Sequence, residues 1–296
     1  VTLSGGRASG AAQGGSIQLD GGLAAAGTGG DVSISSGGSS SGPSGSVSVV
    51  SADAQTGGTG SVAVTTGSTR SGETGALSIS TGNSATGSAG DITFDTRVSG
   101  RGVGSSVSII AGKSAEETGG SISLVSGAGG ASSSSGAISI KTQESDSGSS
   151  GSVVIETGDS DGNTGDVILR SGVSANGVPG RVLIKSGTAM QGPGAEYTIQ
   201  GGDAVSGPGG AVSIAGGVSQ SGSSGSVHIL TPDAGVNGVS GSLDLTTGRS
   251  TSTGPSGSIS IATGPADMGS AGGVTIVAGQ GKDVGADVAI SAGTSA

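Results

Sequence analysis

Apolar residues along this chain come in pairs separated by one intervening residue, and the pairs return at nearly constant spacing. The first members are Val1, Ile17, Val32, Val47, Val62, Leu77, Ile92, Val107, Ile122 and Ile138, then Val153, Val167, Val182, Tyr197, Val212, Val227, Leu243, Ile259, Val274 and Val288. Successive first members stand 14, 15 or 16 residues apart, mostly 15. Each is followed two positions later by a second apolar residue, from Leu3 and Leu19 to Ile290. Period-two alternation carried by β-branched side chains predicts a strand with one buried face. The chain is therefore a tandem array of about twenty short repeats, numbered 1 to 20 below in chain order.

Small residues frame each triplet. Glycine stands two positions before the first apolar residue, as in Gly15, Gly30 and Gly45, with Ser105, Ala195 and Ala286 as substitutes. Another glycine follows three after the second apolar residue, as in Gly67, Gly82 and Gly112, with Ala52, Arg97, Gln143 and Pro232 as exceptions. A third column lies five before the first apolar residue, at Gly27, Gly42, Gly57 and their equivalents. Glycine at both ends of a short strand marks turns. Fifteen residues are too few for a helix pair or a propeller blade. The pattern predicts an all-β fold, a parallel β-solenoid or β-helix with one coil per repeat and a thin, flattened core, as one continuous domain over 1–296. Ser39, Thr69, Ser84, Ser174 and Ser219 are then expected to face the Val/Ile wall. At about 4.8 Å per coil the stack would be a rod of roughly 95 Å.

Composition changes that picture only in part. The chain has 67 Gly in 296 residues, one Phe and one Tyr, the make-up of a flexible linker. A linker has no reason to keep apolar pairs in step over such a length, whereas stacked repeats build a core from few large residues.

Charge and residue inventory exclude several function classes. The net charge is −10 and is spread thinly, which argues against a nucleic-acid partner and against a polybasic lipid contact. There is no Cys and one His, His228, at an outward position, so neither a thiolate metal site nor a histidine-rich zinc set is expected. Asp31, Asp91, Asp166 and Asp287 share a column but lie many repeats apart, unlike the Asp in every repeat of a calcium roll. No cofactor and no enzymatic activity are expected. No run of about 18 apolar residues is present, so no membrane-spanning segment is expected. The chain begins and ends within a repeat, as a segment of something longer would. Its many Ser and Thr residues could accept O-linked glycans.

The residue between each apolar pair should point outward and is mostly Ser or Thr, but three consecutive repeats carry Val154, Ile168 and Leu183. Beside them run Lys141, Glu156, Arg170 and Lys185, one position past the second apolar residue. Alternating charge flanking a small apolar stripe marks a candidate lateral contact with another copy.

Repeats such as Gly75-Ala76-Leu77-Ser78-Ile79-Ser80-Thr81-Gly82 resemble the Gly/Ser/Thr-rich short tandem repeats of large cell-surface proteins of microbial eukaryotes, algae especially. The resemblance spans the chain and implies an extracellular fibre or coat component. The repeats are also similar in logic to the short-coil solenoids of insect antifreeze proteins. The expected function is thus a structural extracellular or cell-surface protein forming a stiff rod or filament, its partner being further copies of itself. The alternative is a surface-binding module, for ice through Thr66, Thr81, Thr96, Thr142 and Thr157, or for a polysaccharide or adhesin-type ligand. A pectin-lyase-like β-helix would need larger coils and clustered Asp and Arg.

Overall fold

Extended segments become strands only when their N–H and C=O groups pair with a second segment. In this protein, seen in a computed structural model that describes residues 1–293, they do not. Among the described residues there is no helix, no β-strand and hence no sheet, so the expected β-solenoid is not the fold. The reason lies in where the backbone hydrogen bonds go. Those that form close loops within single repeats, and none links one apolar triplet to the next. Without a ladder the Val and Ile pairs have nothing to stack into, and no hydrophobic side chain is buried among the described residues. The chain exposes 29022 Å², where a folded chain of this mass exposes about 11,000 Å² and a fully extended one about 39,000 Å².

Internal contacts divide the chain into two units, Val1–Lys141 and Thr142–Ala296. Each unit repeats the same local design: an extended apolar triplet, then a loop with a neck and a tip. Bends mark the tips, at 25–27, 40–42, 55–57 and 70–72 in the first unit and at 175–177, 190–192, 205–207 and 220–222 in the second.

The neck brings together two of the glycine columns. Where the residue preceding the acceptor is itself glycine (Gly5, Gly21, Gly201, Gly216), the facing N–H donates across the neck at 2.8 Å. These bonds run from Gly15 to Gly6, Gly30 to Gly22, Gly210 to Gly202 and Gly225 to Gly217. A Cβ on any of those four preceding glycines would overlap the carbonyl oxygen opposite. Where the preceding residue is Ser36, Ala111 or Ser126, the bond is 2.9 Å: Gly45 to Gly37, Gly120 to Gly112 and Gly136 to Gly127. With alanine on both limbs, at Ala278 and Ala286, the Ala286 N–H reaches the Gly279 oxygen at 3.4 Å. Where the preceding residue is threonine, as at Thr66, Thr81, Thr142, Thr157, Thr247 and Thr263, no such bond forms. The branched side chain holds the limbs apart. A Cβ built on the facing Gly151, Gly257 or Gly272 would already touch Thr142, Thr247 or Thr263 Cγ2, at 3.6, 3.6 and 3.9 Å. The necks beside Ser51, Ser171 and Ser186 are open too, so serine occurs in both classes.

Most tips fall into two kinds. In one, a serine hydroxyl accepts the backbone N–H three residues on: Gly42 to Ser39, Gly87 to Ser84 and Gly177 to Ser174 at 2.9 Å, and Gly222 to Ser219 at 2.8 Å. Ser39, Ser84, Ser174 and Ser219 therefore cap turns and do not face an apolar wall. In the other kind alanine holds the serine's place, and the residue three on takes positive φ. Gly27 (+110°), Gly57 (+97°), Gly192 (+88°), Gly207 (+103°) and Asn237 (+64°) follow Ala24, Ala54, Ala189, Ala204 and Ala234. Without a hydroxyl to satisfy the N–H, the chain turns through the left-handed region that glycine and asparagine tolerate. Thr69 joins the second kind, its hydroxyl donating to the Ser71 carbonyl while Gly72 has φ +99°. Other tips follow neither rule: Gly10 has φ +81° but follows Arg7, the Ser133 N–H donates to the Gly130 carbonyl, and Gly254 and Gly269, after Thr251 and Ala266, have neither feature, which nothing in the structure explains.

Candidate functional site

What the fold leaves at the surface is the apolar pair of every repeat. Within a pair the first residue is the more sheltered, as in Val182 at 49 % exposure and Ile184 at 61 %. Aliphatic residues at loop tips are bare, Val205 reaching 109 %. Each half-exposed Val or Ile keeps roughly 1 kcal/mol of burial still to be gained.

Val154, Ile168 and Leu183 are exposed at 70, 74 and 64 %. Their paired neighbours are comparably exposed, so the three add to a surface that is already apolar along its length. Lys141 ends the first unit, whereas Glu156, Arg170 and Lys185 belong to the second. The ion pair among the described residues lies elsewhere, Arg97 Nε to Asp95 at 3.9 Å.

Chemistry-bearing groups are dispersed. Among the described residues no three or more His, Cys, Asp or Glu side chains gather into a metal-holding cluster, and there is no cavity. Among the described residues no helix is long and apolar enough to cross a membrane. The threonines proposed for ice contact sit at the open necks, where Thr142 Cγ2 stands against Gly151.

One feature of the surface goes beyond the 15-residue step. The closed necks of Gly22 and Gly37, of Gly112 and Gly127, and of Gly202 and Gly217 form adjacent pairs that recur every six repeats; the neck of Gly6 is closed as well and stands outside that period. The acceptors Gly22, Gly112 and Gly202 are 90 residues apart, as are their donors Gly30, Gly120 and Gly210. The next repeat repeats the spacing with Gly37, Gly127 and Gly217. Between these pairs the necks are open, and beyond the last pair a weak bond forms at Ala286. Three blocks result: 17–106, 107–196 and 197–287. The signal was present in the sequence as exceptions to a rule: Ser105, Ala195 and Ala286, the three substitutes in the first glycine column, each fall in the last loop of a block. Asp53-Ala54 returns as Asp233-Ala234, and Gly87-Ser88-Ala89-Gly90 as Gly269-Ser270-Ala271-Gly272.

Comparisons of the chain with protein-family models, curated proteins and solved structures find no match.

Proposed function

We propose that this chain is a structural protein of an extracellular or cell-surface assembly, and that it associates with copies of itself into filaments or bundles through its apolar pairs. The observation that carries the reading is the exposure of those pairs at a fixed step. A surface that presents two aliphatic side chains every 15 residues finds the same step in another copy of the same chain. Individually each contact is weak, but contacts repeated in register add along the chain. Val154, Ile168 and Leu183, with Glu156, Arg170 and Lys185 next to the same triplets, make the stretch best suited to lateral contact. Exposed hydroxyls on Ser and Thr keep such an assembly hydrated and offer sites for O-linked glycans.

Sedimentation velocity and negative-stain microscopy of the purified chain test this. Assemblies should grow with concentration, and with salt as well, since copies of net charge −10 repel less when the screening length falls from about 10 Å at 0.1 M to about 3 Å at 1 M. The triple variant Val154→Asp, Ile168→Asp, Leu183→Asp should assemble markedly less under the same conditions. Monomers of the unaltered chain at every concentration and salt would sink the proposal.

A further inference from the structure

We infer that the six-repeat block is a register device: copies of this chain lie side by side in the same direction, staggered by zero or by whole blocks of about 90 residues. The inference rests on the self-association proposed above and adds to it the rule by which copies align.

The argument starts from the loop necks. A 15-residue step alone would let two copies match apolar pair to apolar pair at any stagger of whole repeats. The neck changes this, because it governs how one apolar triplet is held relative to the next. A closed neck ties the limbs together through one hydrogen bond of 2.8–2.9 Å, as between Gly120 and Gly112. A threonine neck leaves the same limbs held apart by a side chain, as at Thr142 and Gly151. Pairs flanking a closed loop are therefore set differently from pairs flanking an open one. A second copy fits best where closed loops lie beside closed loops, and for the pairs at Gly22 and Gly37, Gly112 and Gly127, and Gly202 and Gly217 that condition returns at a stagger of six repeats, the Gly6 loop being the exception. At three repeats the closed loops of Gly112 and Gly127 would lie beside the open loops of Thr66 and Thr81 or of Thr157 and Ser171.

Direction follows from the block ends. With both copies running the same way, a six-repeat stagger also sets Ser105 beside Ala195 and Ala195 beside Ala286, and a twelve-repeat stagger aligns the recurring Asp-Ala and Gly-Ser-Ala-Gly segments. Reversing one copy so that closed pairs still coincide sets the Ser105 loop beside a loop of the class containing Ala52, Gln143 or Pro232. The parallel arrangement matches both the paired closed necks and the substituted block ends, and the reversed one only the necks.

The chain has no cysteine, so introduced cysteines report cleanly. Full-length single variants Ser33→Cys, Ser78→Cys and Ser123→Cys all replace the outward residue between an apolar pair. Ser33 and Ser123 lie six repeats apart, whereas Ser78 and Ser123 lie three apart. Isotopically distinguished variants are mixed, assembled, oxidised and analysed by mass spectrometry. Same-site links should be the most abundant, and links between positions 33 and 123 should exceed those between 78 and 123 at least about fivefold. A yield that falls steadily with stagger, three repeats above six, overturns the register while leaving self-association standing. A chain that sediments as a monomer and gives no intermolecular link overturns both.

Discussion

Residues 197–226 and 227–273 lie in the same unit and repeat the same fifteen-residue theme, yet their loops are built differently. In the first stretch both necks close at 2.8 Å, Gly210 to Gly202 and Gly225 to Gly217. In the second, with Thr231, Thr247 and Thr263 at the same place, none closes. The apolar pairs do not account for the contrast, since Val212-Ser213-Ile214 and Ile259-Ser260-Ile261 are nearly interchangeable. The loops differ at the residue before the acceptor, glycine in the first stretch and threonine in the second, and two repeats of the second stretch are one residue longer. Within the closed stretch a second comparison is nested. The loop at Ala204 turns through Gly207 at φ +103°, while the loop at Ser219 turns with its hydroxyl holding the Gly222 N–H. Neck and tip are therefore set by separate columns.

The largest effect should come from breaking the nested comparison with the same substitution in both loops. Gly207→Ala puts a Cβ into open space but at a left-handed backbone, at a cost of about 1–2 kcal/mol. Exchange of the Gly210 amide, which closes that loop, should accelerate about 5- to 30-fold. Gly222→Ala keeps ordinary φ, and its new Cβ has only to press the Ser219 hydroxyl at 3.3 Å. Gly225 amide exchange should therefore change less than about threefold. Glu117, capped by Ser114 at 2.9 Å, already shows a side chain tolerated at that place. Equal acceleration in both loops would mean that the two tips are not distinct.

Next in size is the neck itself. Gly201→Thr introduces a side chain whose Cβ overlaps the Gly210 carbonyl oxygen, so the loop must open and the bond from Gly210 to Gly202 must break. A hydrogen bond of this kind is worth about 0.5–1.5 kcal/mol net, and the Gly210 amide should exchange about 2- to 13-fold faster. The neighbouring Gly225 amide should be unchanged, because each neck closes on its own. Loss of protection at both would show that closed necks are cooperative.

How much of this was legible in the sequence depends on what each signal constrains. Spacing fixed the repeat, its triplet and its loop, and all three are present from Ile17 to Ile276. Alternation of Val and Ile predicted an extended segment but carried no information about what that segment pairs with. The inference from triplet to sheet failed at that point. The necks were missed because Gly21, Ser36 and Thr66 share a column of small residues, although β-branching separates threonine from the others. The tip serines were assigned to a wall because their periodicity was read without their hydrogen-bonding capacity, which in Ser39 and Ser84 is spent on the backbone. The six-repeat block was readable from Ser105, Ala195 and Ala286, had exceptions been examined for a period of their own.

The smallest expected effect comes from the reverse exchange, Thr247→Gly. Removing the methyl from the open neck leaves Gly257 free to donate to Gly248, as Gly225 does to Gly217. The bond should contribute about 0.5–1.5 kcal/mol, but a new glycine raises the entropy lost on ordering by roughly 0.5–1 kcal/mol. The two nearly offset, and Gly257 amide exchange should slow by no more than about fivefold. The asymmetry with Gly201→Thr is informative in itself. Clash opens a neck irrespective of entropy, whereas closing one needs the hydrogen bond to exceed the cost of the added freedom. Thr247→Ala separates the two terms, since alanine lacks the branch without adding glycine's freedom, and Ala111 already sits in a neck closed at 2.9 Å. It should therefore slow Gly257 exchange more than Thr247→Gly does. If Ala closes the neck no better than Thr, the methyl branch is not what holds it open, and the two loop classes need another cause.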